Sequence, residues 1–316
     1  MPSDVRLIAI DIDGTLLPTS STTISRRNRH ALLQAQAAGL HIVIATGRRH
    51  QYAEPVLEQV GLSPRTVMIS SNGSVVRYFD GELIRRTLLP AESARALCPA
   101  LRPFGQTMVF TFDRKREPSL AVESMASLQG RIGVWVEANR HEMVEIAPLE
   151  RAFDHGEAPI QAMLCGSIAQ VRTAQQAVQA MQLGAEISMH RTEYAERDLG
   201  ILDLLPLGCS KGRALEDYAR SLGLDAAEVM AIGDNFNDQA MLEYAGQSIV
   251  MGNAGEEMQA LAARHDWAVA LSNDEDGVAE TLEPLIRRAQ EVQSATLHTG
   301  NRDPEVVTPQ DGIATR

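Results

Sequence analysis

Lysine is almost missing from this chain: only two of its 29 basic residues, Lys115 and Lys211, are lysines, and the rest are arginine. Basic residues as a class are outnumbered by 41 acids, giving a formal net charge of −12. Nucleic acid and anionic membrane surfaces are therefore not expected as partners, because both are held by clustered positive charge. Long apolar runs are also absent, and nothing approaches the roughly 20 residues that a membrane-spanning helix needs. Near the start, Asp4 and Arg6 flank an apolar run too short for export or anchoring, so a cytoplasmic location is expected. Cys98, Cys165 and Cys209 are far apart and form no Cys-x-x-Cys pair. They read as reduced thiols in a core, with a reactive thiol at Cys209, beside Ser210-Lys211, as the alternative. The eight histidines show no ligand spacing, which argues against zinc.

The 316 residues present, 44% of them hydrophobic, suffice for two domains with sizeable cores, as a monomer or small homo-oligomer. The apolar run Val5 to Ile10 ends at Asp11-Ile12-Asp13-Gly14-Thr15. Two acids spaced i, i+2 leave a pleated strand on one face, at the strand end where open α/β sheets bind ligands. A hard divalent cation such as Mg2+ uses that arrangement, taking a few protein oxygens and keeping several waters. A plain Asp-Gly turn is the blander reading.

Three more segments close apolar runs. Thr46-Gly47-Arg48 follows Leu40 to Ile44, after a helix with Ser25 as N-cap, Leu32, Leu33, Ala35 and Ala38 on its face and Gly39 past its end. Strand, helix and strand in that order suit a parallel crossover unit, and the Thr hydroxyl with Gly N–H groups suits phosphate oxygens. Ser210 reads as the N-cap of a helix carrying Leu215, Tyr218, Ala219 and Leu222. Lys211 then sits in the first turn, where the helix dipole disfavours a cation, in a chain that otherwise uses arginine, so a point charge is wanted there. Gly233-Asp234-Asn235-Phe236-Asn237-Asp238 follows Val229 to Ile232, with Asn237 read as the N-cap of the next helix.

The middle of the chain changes pattern. Gln106 to Phe112, Ser119 to Val122, Ile132 to Val136, Met143 to Ile146 and Ile160 to Cys165 read as short strands, and Ile168 to Met181 as a helix. The expected architecture is an α/β core, a doubly wound parallel Rossmann-like sheet from residues 1–83 and 206–290, with an inserted α+β cap domain, 84–205. Residues 291–316, poor in apolar periodicity, read as a disordered tail. Arg114-Lys115-Arg116 reads as a solvated hairpin tip or an anion attractor, and His190 to Tyr194 as substrate-recognising groups or a surface connection.

Asp11-Ile12-Asp13-Gly14-Thr15, Thr46-Gly47-Arg48, Lys211 and Gly233 to Asp238 resemble the four ordered motifs of the haloacid dehalogenase superfamily. The long insertion and Ser71-Asn72-Gly73 after a third apolar run resemble its Cof-type sugar phosphatases, which carry a type IIB cap. The resemblance implies a Mg2+-dependent phosphatase of small phosphorylated metabolites. Asp11 would be the nucleophile that becomes an aspartyl-phosphate, and Asp13 the general acid and base, needing a proton on arrival. The metal would be held by Asp11, Asp234 and the Asp13 backbone carbonyl, with Asp238 behind them orienting Lys211 or a metal-bound water. Ile12, Thr46, Gly47, Lys211 and Asn237 would hold the phosphate. A substrate dianion with ionised Asp11 and Asp234 assembles four negative charges, against three positive from Mg2+ and Lys211, leaving the remainder to neutral donors. The alternatives are a phosphomutase, which passes the phosphoryl group to a second sugar hydroxyl, and a non-catalytic phosphometabolite sensor, which would be expected to lack Asp11 or Asp13.

Overall fold

The computed structural model describes residues 5–114, 118–181 and 186–299, with side chains described as far as residue 291. The chain opens with β1 (Leu7–Ile10), α1 (Arg26–Ala37), β2 (His41–Ala45), α2 (His50–Glu58), β3 (Val67–Ser70), β4 (Val75–Tyr78) and β5 (Leu83–Arg86). Ser25 starts α1 by accepting the Asn28 N–H at 3.0 Å. Gly39 takes φ 82° just beyond the helix end, a conformation an L side chain rarely adopts.

The insert follows as α3 (Ala91–Leu101), β6 (Met108–Thr111), β7 (Leu120–Val122), α4 (Met125–Asn139), β8 (Met143–Glu145), β9 (Gln161–Gly166), α5 (Ile168–Ala180), β10 (Ile187–Tyr194) and β11 (Leu199–Pro206). The chain then returns through α6 (Lys211–Ser221), β12 (Val229–Gly233), α7 (Gln239–Tyr244), β13 (Gln247–Val250), α8 (Glu256–Arg264), β14 (Ala268–Val269) and α9 (Gly277–Thr299).

Two sheets result, one of eight strands ordered β14-β13-β12-β1-β2-β3-β4-β5 and one of six ordered β10-β11-β9-β6-β7-β8. In the first, β14 through β3 pair in parallel and β4 and β5 add antiparallel. Helices cover both faces: Ile8 and Ile10 pack towards α1, α2 and α9, whereas Leu7 and Ala9 pack towards α6, α7 and α8. Every β1 side chain is consequently buried, which is why this strand reads as an apolar run without alternation. Register positions the site. Ile10 lies level with Ile44 of β2 and Ile232 of β12, so the chain leaves all three central strands on one edge.

In the second sheet α3 and α5 pack on one face, and α4 packs against Val109, Leu120 and Val122 on the other. Four of the five strands expected in the insert form, but Ile132–Val136 lies within α4. Its β-branched residues favour a strand locally, yet Leu128, Ile132, Val136 and Asn139 are buried at helical spacing while Val134 is 87% exposed. Ser124 fixes the start by accepting the Ser127 N–H at 3.2 Å. At the other end of the chain, α9 carries the backbone to Thr299. The rest of the expected tail, and Lys115 and Arg116, lie outside the described residues.

Candidate active site

Asp11, the first residue past β1, and Asp234, the first past β12, meet at the sheet edge. One carboxylate oxygen from each, together with one from Asp238, lies within 4.8 Å of the others, and all three residues are buried. Gly14 turns the chain away at φ 80°, and a Cβ there would overlap the Asp234 carboxylate. The approach of the first loop to the fourth thus requires glycine.

Lys211 is fully buried and bridges two of these acids, donating from Nζ to Asp11 Oδ1 at 2.6 Å and to Asp238 Oδ1 at 2.7 Å. Asp238 is otherwise engaged, its Oδ2 accepting the Asp234 and Asn235 N–H groups at 3.0 and 3.1 Å. Burial alone would lower the lysine pKa, but Asp11 and Asp238 hold it above the ordinary lysine range. Asp11 is raised to about 7 by burial, with Lys211 pulling it down and Asp238 and Asp13 pushing it up. Asp234 is raised well above its usual range by burial and then by Asp11 and Asp238. These acids share one cation among the described residues, and hard oxygen donors in surplus negative charge are the donor set a divalent cation takes.

Asp13 is outside that cluster. Its carboxylate, 42% exposed, receives both arms of Arg48, Nε at 2.7 Å and Nη2 at 2.6 Å. Thr46 is buried and its hydroxyl accepts the Arg48 N–H at 3.1 Å, shaping the turn through Gly47. Ser71 and Asn72, both buried, hold left-handed φ values of 48° and 50°. That strained turn is tied to the preceding motif, since Ser71 N–H donates to Arg48 O at 2.9 Å and Asn72 N–H to Thr46 O at 3.1 Å.

Asn237 is not a cap, contrary to the sequence reading. Asn235 fills that position, accepting the Phe236 N–H at 2.9 Å in a reciprocal box with Asp238. The reason is a short 3-10 turn over Phe236–Asp238 that precedes α7 and moves the cap two residues earlier. The Asn237 amide instead donates to Asn72 Oδ1 at 3.2 Å.

Above the acids is a cavity of about 220 Å³ lined by both sheets, including Asp11, Asp13, Gly47, Asp234 and Asn237 from the first and Trp135, Gln161, Tyr194 and Asp203 from the insert. Within His190 to Tyr194, Thr192 and Tyr194 line it, whereas His190 Nε2 pairs with Cys209 O at 3.0 Å. Cys209 is a free thiol that is buried, and burial pushes it up, as expected of a core thiol rather than a reactive one.

Residue by residue reasoning missed Arg49, which donates to Ser119 Oγ at 2.8 Å and Asn139 Oδ1 at 2.9 Å in the insert. It also missed Asp203, Gln161 and the role of Asn72. The only local signal was a lone acid, Asp203, within the apolar strand β11.

The haloacid dehalogenase-like hydrolase family profile matches residues 8–282. The chain is 32% identical over 302 residues to phosphatase YwpJ of Bacillus subtilis, covering 89% of this chain and 100% of YwpJ. It is 30% identical over 302 residues to the 5-amino-6-(5-phospho-D-ribitylamino)uracil phosphatase YwtE of the same organism, covering 89% and 98%. A solved haloacid dehalogenase-like hydrolase from B. subtilis superposes with a TM-score of 0.71 at 26% identity, covering 88% of this chain and 99% of that one.

Proposed function

The chain belongs to the haloacid dehalogenase-like hydrolase family, as a phosphatase of its Cof-type subgroup, and from that premise we propose that it hydrolyses small sugar phosphates through an aspartyl-phosphate on Asp11. The observation that carries this reading is the meeting of Asp11, Asp234 and Asp238 around Lys211 at the floor of a cavity roofed by the insert. In this reading the six-stranded sheet and its helices form a cap domain that excludes water and faces the leaving group.

An Asp11 oxygen attacks phosphorus, the bond from phosphorus to the ester oxygen breaks, and its electron pair leaves with that oxygen, which takes a proton from Asp13. Asp13 then removes a proton from water as the water oxygen attacks phosphorus. The bond to Asp11 breaks, releasing phosphate and restoring the Asp11 carboxylate. Lys211 neutralises charge beside the nucleophile, while the Ile12 and Gly47 N–H groups, the Thr46 hydroxyl and the Asn237 amide receive the phosphate oxygens. The acid cluster fits Mg2+, held by Asp11, Asp234 and the Asp13 backbone carbonyl, which when bound would offset the dianion's charge. Asp238, held by Lys211 on one oxygen and two backbone N–H groups on the other, positions the lysine.

A panel of phosphorylated metabolites assayed with Mg2+ tests this reading. Phosphate release from several sugar phosphates is expected. Isomerised sugar phosphate without free phosphate would assign a phosphomutase instead, and no turnover with any ester would sink the proposal.

A further inference from the structure

Asp203 is a buried carboxylate that the reaction above does not use. It stands on β11, lines the cavity, is 5% exposed and makes no ion pair among the described residues. Its two oxygens each accept one amide: Asn72 Nδ2 donates to Oδ2 at 2.8 Å and Gln161 Nε2 to Oδ1 at 3.1 Å. Each oxygen keeps a further lone pair. Spending its NH2 on Asp203 leaves Gln161 Oε1 buried with no partner among the described residues, and the Ser71 hydroxyl on the same cavity wall is unpartnered too. A buried acceptor without a donor is costly, by about 1–3 kcal/mol, so native structures seldom leave one unless a ligand or water completes it.

We propose that Asp203 and Gln161 form the subsite that reads the hydroxyl groups of the leaving alcohol, restricting the enzyme to polyhydroxylated phosphate esters. A polyol supplies what these atoms lack, O–H donors for the Asp203 oxygens and Gln161 Oε1, without introducing a charge. A second phosphate or a carboxylate on the substrate would face Asp203 as a like charge. Burial raises Asp203 to about 7, so near neutrality both its ionised and its neutral form are available, and a hydroxyl, which donates and accepts, pairs with either. The subsite is wired to the phosphate end, because Asn72 holds Asp203 with Nδ2 and accepts the Asn237 amide with Oδ1 at 3.2 Å. Selectivity of this kind is strong, since an ester lacking the hydroxyls leaves the buried acceptors unpaired.

The inference rests on the phosphatase reading, and its test separates the two. For wild type, Asp203→Asn and Gln161→Met, kcat/KM is measured for aldose, ketose and alditol phosphates and for p-nitrophenyl phosphate, which has no hydroxyls. The ratio of the best polyol ester to the aryl ester is expected to fall about 10- to 100-fold in each variant. That ratio cancels general damage to folding or chemistry, and the glutamine variant keeps the test alive if the aspartate variant is unstable. A ratio unchanged within about twofold in both variants overturns the subsite. So does a wild type that prefers the aryl ester, or one whose preference is for amino-substituted esters such as glucosamine 6-phosphate and is lost in Asp203→Asn. Absence of hydrolysis of any ester by wild type would instead reject the phosphatase reading.

Discussion

Arg48 holds Asp13 in a fork, Nε on Oδ2 at 2.7 Å and Nη2 on Oδ1 at 2.6 Å. Each oxygen of the proposed acid and base accepts one arm and keeps a further lone pair, so the fork fixes the orientation of Asp13 at the cavity without blocking proton exchange. The pair is half open to solvent, with side-chain exposures of 15% and 42%, and pairs of that kind contribute about 1 kcal/mol or less to stability. Arg48→Lys, which cannot make the fork, should therefore lower kcat about tenfold while leaving the melting temperature nearly unchanged. Steady-state kinetics beside a thermal melt check the split, and a large loss of stability would show that the pair serves the fold.

Replacing the nucleophile gives a sharper outcome. Asp11→Asn should lower kcat about 10³-fold or more, since a group that forms the covalent intermediate has no substitute. Phosphate release is the readout, and circular dichroism should show the native fold.

Lys211 is the cation that makes the acid cluster tolerable. Lys211→Met leaves Asp11 and Asp238 buried without it, which should cost about 3–5 kcal/mol of stability by urea unfolding. The deficit should shrink as the pH falls and the stranded carboxylates take up protons.

Metal dependence has two measurable signatures. Excess EDTA should stop hydrolysis and added Mg2+ should restore it. Mg2+ should also raise the melting temperature, because a ligand that binds only the native state stabilises it. Asp11 is raised to about 7 and Asp234 is raised as well, so cation binding displaces protons and the thermal shift should weaken as the pH drops below about 7. Activity persisting in EDTA would remove Asp234 from the ligand set.

Asp203 predicts a pH dependence of stability in its own right. Its folded pKa of about 7 lies above the usual carboxylate value, so between the two the native state binds more protons than the unfolded chain. Its contribution to stability therefore falls as the pH rises through that window and is fully lost above about 7. Asp203→Asn removes the penalty, and the flip of one neighbouring amide restores both hydrogen bonds. The variant should melt higher than wild type at pH 8 and lose that advantage near pH 4.

The chemistry at the ends of β1, β2 and β12 was legible in the linear order, because an apolar run that stops at acids, glycines or a threonine specifies a buried strand and its exit at once. The N-caps at Ser25 and Ser210 were readable for the same reason, as their hydrogen bonds close within three residues. Ile132–Val136 misled because local β propensity and helical burial disagree there, and the partner surface that settles the conflict is supplied by β6 and β7. Tertiary structure alone decided the rest. The Asp203 to Asn72 bond spans 131 positions and the fork of Arg48 on Asp13 spans 35, and no local pattern encodes such a meeting. Sequence by itself thus determined which residues leave the strands, through short-range periodicity and capping, whereas the packing of the insert over the sheet edge decided what those residues face.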